Sequence, residues 1–352
     1  MKVSLFDLLL IYETEVKKSV RNKKKILDFE KHKMEYLVDI KIVLENNLYD
    51  GGKYNIFLVF EPKVRVIMAQ GIYDKIINHY VTRFILISKL EKYLNDRNCA
   101  TRKGMGTNAI KLLKKNIESF KKYDKFYFLK LDISKYFYSL DHEVIISIIK
   151  QDLTQDELNL VKIILDSTNK EYINKKIEYL EKKYSVILPK YEYKKGLAIG
   201  NLSSQFLAIL YLSKLQHYIT NNLHIRFINY MDDYILIHNS KEYLKDSLEL
   251  IENIINKEYK LKLNNKKTII SNSNQGISFL GYTFRVKDNK TIIKLSSNTK
   301  KNIRKGIKRA NYLYRNNIIK FNQYFSSIEC FKNNYIFVNK DKAKHFIDRY
   351  NG

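Results

Sequence analysis

The stretch INYMDDYILI, Ile228 to Ile237, sets two adjacent carboxylates, Asp232 and Asp233, into an apolar, strand-forming run. Aspartate is a poor strand residue, and a buried charge is expensive without a partner. A third carboxylate, Asp132, ends the apolar run FLKL. Brought together from adjacent strands, the three would make an oxygen-rich cage. Hard Mg2+ suits such a cage, with water and substrate phosphates filling the rest of its shell. Two such ions can activate a hydroxyl nucleophile and stabilise a phosphate leaving group. Taken singly, the residues have plainer readings: Asp132 as the N-cap of ISKYF, and Asp232-Asp233 as a turn. Both on apolar strands, in one basic chain, they point to the metal site.

The elements that must position them follow from periodicity. KFYFLKLDISKYF reads as a strand ending at Asp132, and IRFINYMDDYILIH as a strand pair with Asp232-Asp233 at its turn. Residues 1–50 read as helical, with the basic run KKSVRNKKK between two apolar-periodic segments. NIFLVFEPKVRVIMA reads as two short strands around Glu61-Pro62, followed by a helix over YDKIINHYVTRFILISKLEKYL. Residues 143–195 read as mainly helical, GNLSSQFLAILYLSKLQHYITNNL as a loop entering a long buried helix, and 241–257 as another helix. From Lys294 to Arg315 there are eight basic residues and no acid. There Lys301, Arg304, Lys305 and Lys308 share one helix face, and Ile303, Ile307, Ala310 and Tyr314 make the apolar stripe. Helices and antiparallel strands mix without regular βαβ alternation, which predicts an α+β fold.

The chain has 352 residues, 45% of them hydrophobic, enough for a large core and two or three subdomains. Its net charge of +27 suggests a polyanionic partner. Abundant Lys, Asn, Ile and Tyr fit AT-rich coding, so the 11 arginines are individually more telling than the lysines. Cys99 and Cys330 lie far apart, with no metal-ligand spacing, and predict a reducing, cytoplasmic setting. No signal peptide is expected, and no apolar run reaches membrane-spanning length.

Six segments, in order from about Phe57 to Arg309, carry a resemblance: FEPKVRVI, CATRKGMGTNAI, FLKLDISKYFYSLDH, IGNLSSQFLAILYL, YMDDYILI and GISFLGYTF. The chain resembles the reverse transcriptases, most closely those of diversity-generating retroelements. The resemblance implies a right-hand polymerase: an antiparallel palm sheet backed by helices, with fingers and a helical thumb. The expected divisions are an N-terminal helical extension over 1–50, fingers and palm over 51–290, and a basic thumb over 291–352. Most of the family opens the fourth segment with glutamine-glycine and ends it with serine-proline; here Ile199 and Gln205 replace the glutamine and the proline. That departure resembles the diversity-generating group, whose members copy template RNA with frequent errors opposite adenine. Isoleucine lacks the amide with which glutamine can fix the incoming nucleotide, so lower fidelity is expected.

By the same resemblance Asp132, Asp232 and Asp233 are ligands of two Mg2+ ions, with Mn2+ a substitute and the Ile133 carbonyl an extra ligand. Asp233 is expected to act more through charge than through direct coordination. Phe137 lies where the family places an aromatic ring that excludes a 2′-hydroxyl. Lys63 and Arg65 fall where the triphosphate is gripped, and arginine's fork suits phosphate oxygens. Arg102 and Lys103 are expected at template or nucleotide. Gly200, Ser204 and Gln205 shape the floor beneath the nascent base pair. Lys267 matches the position of a proposed general acid for pyrophosphate release. Tyr230 is expected either to press on the primer terminus or to fill the strand, and FLGY, with Gly281, to hold the primer end. Lys301, Arg304, Lys305 and Lys308 track the backbone of the duplex without reading sequence.

The expected activity is RNA-directed DNA polymerisation from dNTPs, with template RNA and an RNA/DNA duplex as partners, a basic accessory protein, and no membrane. Three alternatives stay open. One is an antiviral defence-associated reverse transcriptase of a prokaryote. Another is an RNA-dependent RNA polymerase, against which Phe137 stands. The last is a non-catalytic RNA-binding protein, which the three aspartates disfavour.

Overall fold

The computed structural model describes residues 2–60, 63–101, 105–332 and 337–338. Helices mix with antiparallel strands, as the sequence pattern predicts. The chain forms two compact units: residues 1–102, 132–224 and 248–264 make the first, and 103–131, 225–247 and 265–352 the second.

The first unit is mainly helical and holds one hairpin, β1 (Tyr54–Val59) and β2 (Arg65–Gln70), paired antiparallel from Tyr54↔Gln70 to Val59↔Arg65. Alternate residues of the hairpin face inward, as the period of a strand requires. Tyr54, Ile56, Val66 and Met68 thus form one cluster with Ile173, Ile177 and Leu180 of the helix Glu171–Tyr184. The region 143–195 resolves into helices His142–Ile149, Gln155–Asp166 and Glu171–Tyr184, and the chain from Ser185 to Gly200 is not helical. Two of these helix starts are capped by side chains. Thr154 and Glu157 form a reciprocal capping box, and Asp141 accepts the amides of Glu143 and Val144 at 3.0 and 3.1 Å.

Asp141 gives a testable pH dependence. Burial pushes its carboxyl up, but the Lys260 ammonium at 2.9 Å and the two capping amides outweigh that and hold it below its usual value. A depressed pKa in the folded state contributes stability that is present above the unfolded pKa and lost as pH falls through the folded one. Asp141→Ala should therefore cost about 1–2 kcal/mol at neutral pH, and the gap to wild type should narrow as the pH falls below about 4. Urea unfolding at a series of pH values reads both effects.

The second unit carries two sheets. One has the strand order β4-β5-β3-β6, with β3 Tyr127–Asp132, β4 Arg226–Tyr230, β5 Asp233–His238 and β6 Ile269–Asn272. The other runs β7 (Ile277–Phe279), β8 (Tyr282–Lys287), β9 (Lys290–Leu295). The pairs β3–β6, β4–β5, β7–β8 and β8–β9 are all antiparallel. The basic helix is Ser297–Arg315, and it packs on the helix Phe321–Lys332. A Cβ at Gly306 would lie 2.3 Å from the Phe331 ring, so the glycine permits the close approach of the two helices. No described helix is long and apolar enough to cross a membrane.

Candidate active site

The hairpin β4–β5 closes at the pair Tyr230↔Asp233, so its loop is Met231-Asp232 and Asp233 is already the first residue of β5. The sequence pattern places both aspartates in the turn. Two-residue hairpin loops need positive φ at the first central position, which normally selects glycine or asparagine. Met231 takes φ +57° there, a conformation that costs a non-glycine residue about 1–3 kcal/mol. Asn229, fully buried, donates its side-chain amide to the Met231 carbonyl at 2.8 Å and holds the turn. Phe227, Ile228, Tyr234 and Ile235 anchor the two strands in the core, while Asp232 and Asp233 are half-buried.

Asp233 is met by a lysine that the sequence pattern does not single out. Lys130 of β3 places its ammonium 2.9 Å from Oδ1 and 3.1 Å from Oδ2 of Asp233, and donates also to the Ser278 carbonyl of β7 at 2.9 Å. The signal was present: residues two apart on a strand share a face, so Lys130 and Asp132 belong together.

Asp132 ends β3 as expected and is 9% exposed. Its Oδ1 accepts from the Asn264 side-chain amide at 3.1 Å, and its carbonyl accepts from the Asn264 backbone at 2.8 Å. Ser134 donates to the Lys262 carbonyl at 2.9 Å, which leaves Ile133 opposite Leu263 in a non-hydrogen-bonded pair. The N–H and C=O of Ile133 therefore point away from that partner. Lys135 takes φ +48° and starts the short helix Tyr136–Ser139. Tyr136 is buried, with its hydroxyl on the Ala208 carbonyl at 2.6 Å. Phe137 is half-buried rather than core, and its carbonyl accepts from Leu197 N at 2.7 Å.

That bond leads into the loop around Gly200. Ile199 accepts at its carbonyl from the Met68 amide of β2 at 2.8 Å, and its side chain is half-buried. Gly200 has φ +135°, and a Cβ there would lie 2.6 Å from the Met68 carbonyl, so both conformation and space demand glycine. Ser203 exchanges two hydrogen bonds with Asn78, Ser204 is buried and Gln205 half-buried. The loop is thus bolted to the β1–β2 hairpin, whose exposed Lys63 and Arg65 lie at the other end of β2.

In the second unit Leu280 and Gly281, both at positive φ, form the two-residue loop between β7 and β8. The Gly281 carbonyl accepts from Ser296 N and Thr299 Oγ1, each at 2.9 Å, which ties this loop to the start of the helix Ser297–Arg315. On that helix Lys301, Arg304, Lys305 and Lys308 are exposed, while Ile303, Ile307 and Ala310 are buried. Tyr314, expected in the apolar stripe, stays 39% exposed and stacks on Tyr324. Lys267 is exposed and Tyr230 half-buried. Arg102 and Lys103 lie outside the described residues. Among the described residues, no group of three or more histidine, cysteine, aspartate or glutamate side chains is gathered as a metal cage.

The model of the family described as reverse transcriptase (RNA-dependent DNA polymerase) matches residues 61–284, more than half of the chain. The chain belongs to the reverse transcriptase family. The matched span takes in Asp132, Phe137, the Gly200 loop, Asp232, Asp233 and the β7–β8 loop. Among solved structures, this reverse transcriptase is similar to apo telomerase from Candida tropicalis truncated from its C-terminal domain, at 17% identity and a TM-score of 0.48, over 69% of this chain and 55% of that one. Apo telomerase from Candida tropicalis gives 15% identity and 0.49, over 80% and 52%. Telomerase from Candida albicans in complex with a fragment of telomeric RNA gives 15% and 0.48, over 85% and 60%. The reverse transcriptase thus spans between about half and three-fifths of the length of those chains. No curated protein matches it.

Proposed function

We propose that the chain is an RNA-directed DNA polymerase that copies a template RNA into cDNA by metal-assisted nucleotidyl transfer. One observation carries the reading: the family match spans three aspartates, Asp132 at the end of β3, Asp232 in the β4–β5 loop and Asp233 at the start of β5, and β3 neighbours β5. The carboxylates are hard oxygen donors of the kind Mg2+ takes, and Asn264 orients one of them. Asp132 and Asp232, with the Ile133 carbonyl, would hold two Mg2+ ions, and Asp233 would add charge. Bound there, the ions would supply activation of the 3′-hydroxyl and neutralisation of the leaving pyrophosphate.

The other residues keep roles that their settings support. Lys63 and Arg65 are exposed cations for the triphosphate. Phe137 has its backbone pinned and its ring not absorbed into the core, as a sugar-sensing ring needs. Gly200, Ser204 and Gln205 shape the floor of the pair, Lys267 serves pyrophosphate release, and Tyr230 and Gly281 meet the primer end. The cationic face of the helix Ser297–Arg315 tracks the duplex as the thumb, beyond fingers and palm at 51–290. Primer extension on an RNA template, dNTPs against rNTPs, tests the reading; ribonucleotide incorporation at equal efficiency would overturn it.

The finer assignment is an error-prone enzyme of a diversity-generating retroelement, working with a basic accessory protein. Ile199 supports it: the backbone is fixed to β2, so only the side chain is free to differ, and it brings no hydrogen-bonding group. Ile199→Gln should lower misincorporation opposite template adenine by about tenfold, the order expected when a site gains a polar discriminator. Sequencing of cDNA from both proteins reads the rate, and identical low error rates would remove the assignment.

A further inference from the structure

Lys130 has no place in the roles above, yet its ammonium meets both Asp233 and the Ser278 carbonyl. Its side chain is 17% exposed, and its ammonium bridges both Asp233 oxygens and the Ser278 carbonyl. Ser278 sits one residue before Phe279, where the FLGY loop begins. A single cation therefore joins three strands: β3, which delivers Asp132; β5, which begins at Asp233; and β7, which leads into the loop fastened to the basic helix.

We propose that Lys130 is a positioning residue of the polymerase. It fixes the Asp233 carboxylate, offsets part of its charge, and couples the aspartate hairpin to the loop at Leu280-Gly281. The proposal rests on the reading of Asp233 as part of the metal site. Two consequences separate it from simple strand packing. First, the ammonium shares Asp233 with any arriving cation, so removing it takes one positive charge away from Asp233 and strengthens the pull on a divalent ion. Second, the tie to Ser278 is lost, so the primer end is held less well in register with the hairpin.

The test uses the full-length protein with three substitutions. Lys130→Met removes charge and tether, Lys130→Gln keeps a donor without the charge, and Lys130→Arg keeps the charge. Mn2+ binding to the protein alone, followed by electron paramagnetic resonance, should tighten on the order of 3–10-fold in Lys130→Met and Lys130→Gln. It should stay within about twofold of wild type in Lys130→Arg, which still pairs with a carboxylate. The KM for template–primer should rise in Lys130→Met more than the KM for dNTP. If Lys130→Met cannot be obtained folded, Lys130→Gln carries the same metal readout. Unchanged Mn2+ affinity in both neutral variants would overturn the proposal. Wild type and Asp232→Asn binding Mn2+ alike would instead show that the metal-site reading fails, and the proposal with it.

Discussion

Asp232→Asn should lower primer extension on the order of a thousandfold or more while leaving template–primer binding and thermal stability near wild type. The asymmetry follows from where the residue sits. Asp232 is the second residue of a two-residue loop, half-buried, and the hairpin around it is held by others: the backbone ladder of β4 and β5, the Asn229 amide on Met231, and the apolar residues beneath. Asparagine keeps the shape and the loop preference. It loses the charge that a divalent ion requires. A thousandfold corresponds to about 4 kcal/mol of transition-state stabilisation, in range for one ligand of a metal-assisted transfer. Single-turnover extension rates, template–primer dissociation constants and melting curves separate the three quantities. Extension retained at wild-type rate would contradict the role.

Phe137→Ala should reduce discrimination against ribonucleotides on the order of a hundredfold, chiefly by letting rNTPs in rather than by slowing dNTPs. Exclusion of a 2′-hydroxyl is a clash built against the wrong substrate, and removing a clash admits the competitor without weakening contacts to the right one. The structure supports Phe137 for this over its neighbour. Tyr136 is buried and spends its hydroxyl on Ala208, whereas Phe137 is half-buried and its carbonyl is fixed by Leu197. The ring can therefore be removed with little loss of core. The ratio of kcat/KM for dNTP and rNTP at a single template position is the readout. A ratio unchanged in Phe137→Ala would place the sugar filter elsewhere.

Much of this arrangement was legible in the residues because local rules agreed with the fold. The alternation in FLKLD predicts a strand ending at Asp132, and β3 ends there. The helical period over 241–257 and the cationic face at 301–308 needed no tertiary information. What the sequence hid has physical causes. The loop of the aspartate hairpin lies one residue earlier than the pattern suggested, because Asn229 stabilises a positive φ at Met231, a residue that propensity would not choose. Residues 185–195 carry enough Leu, Ile and Tyr to look like more helix, but the chain there is not helical, and just beyond it Leu197 and Ile199 bond to Phe137 and to Met68 of β2. Strand β9 carries Lys290 and Lys294, and it blends into the basic run that follows. The helical stretches Tyr12–Val16 and Val81–Ile87 take the wider π pattern, which side-chain periodicity does not report. Lys130 was concealed by abundance: in a chain this rich in lysine, one more on a strand draws no notice until its ammonium is seen between Asp233 and Ser278.

The most direct measurement is anomalous scattering from Mn2+ in crystals grown with an RNA template, a DNA primer and a non-hydrolysable dNTP. The account predicts two peaks, with carboxylate oxygens of Asp132 and Asp232 at about 2.0–2.3 Å and the triphosphate completing their shells. Peaks that engage only one of these aspartates, or none with the triphosphate bound, would contradict it.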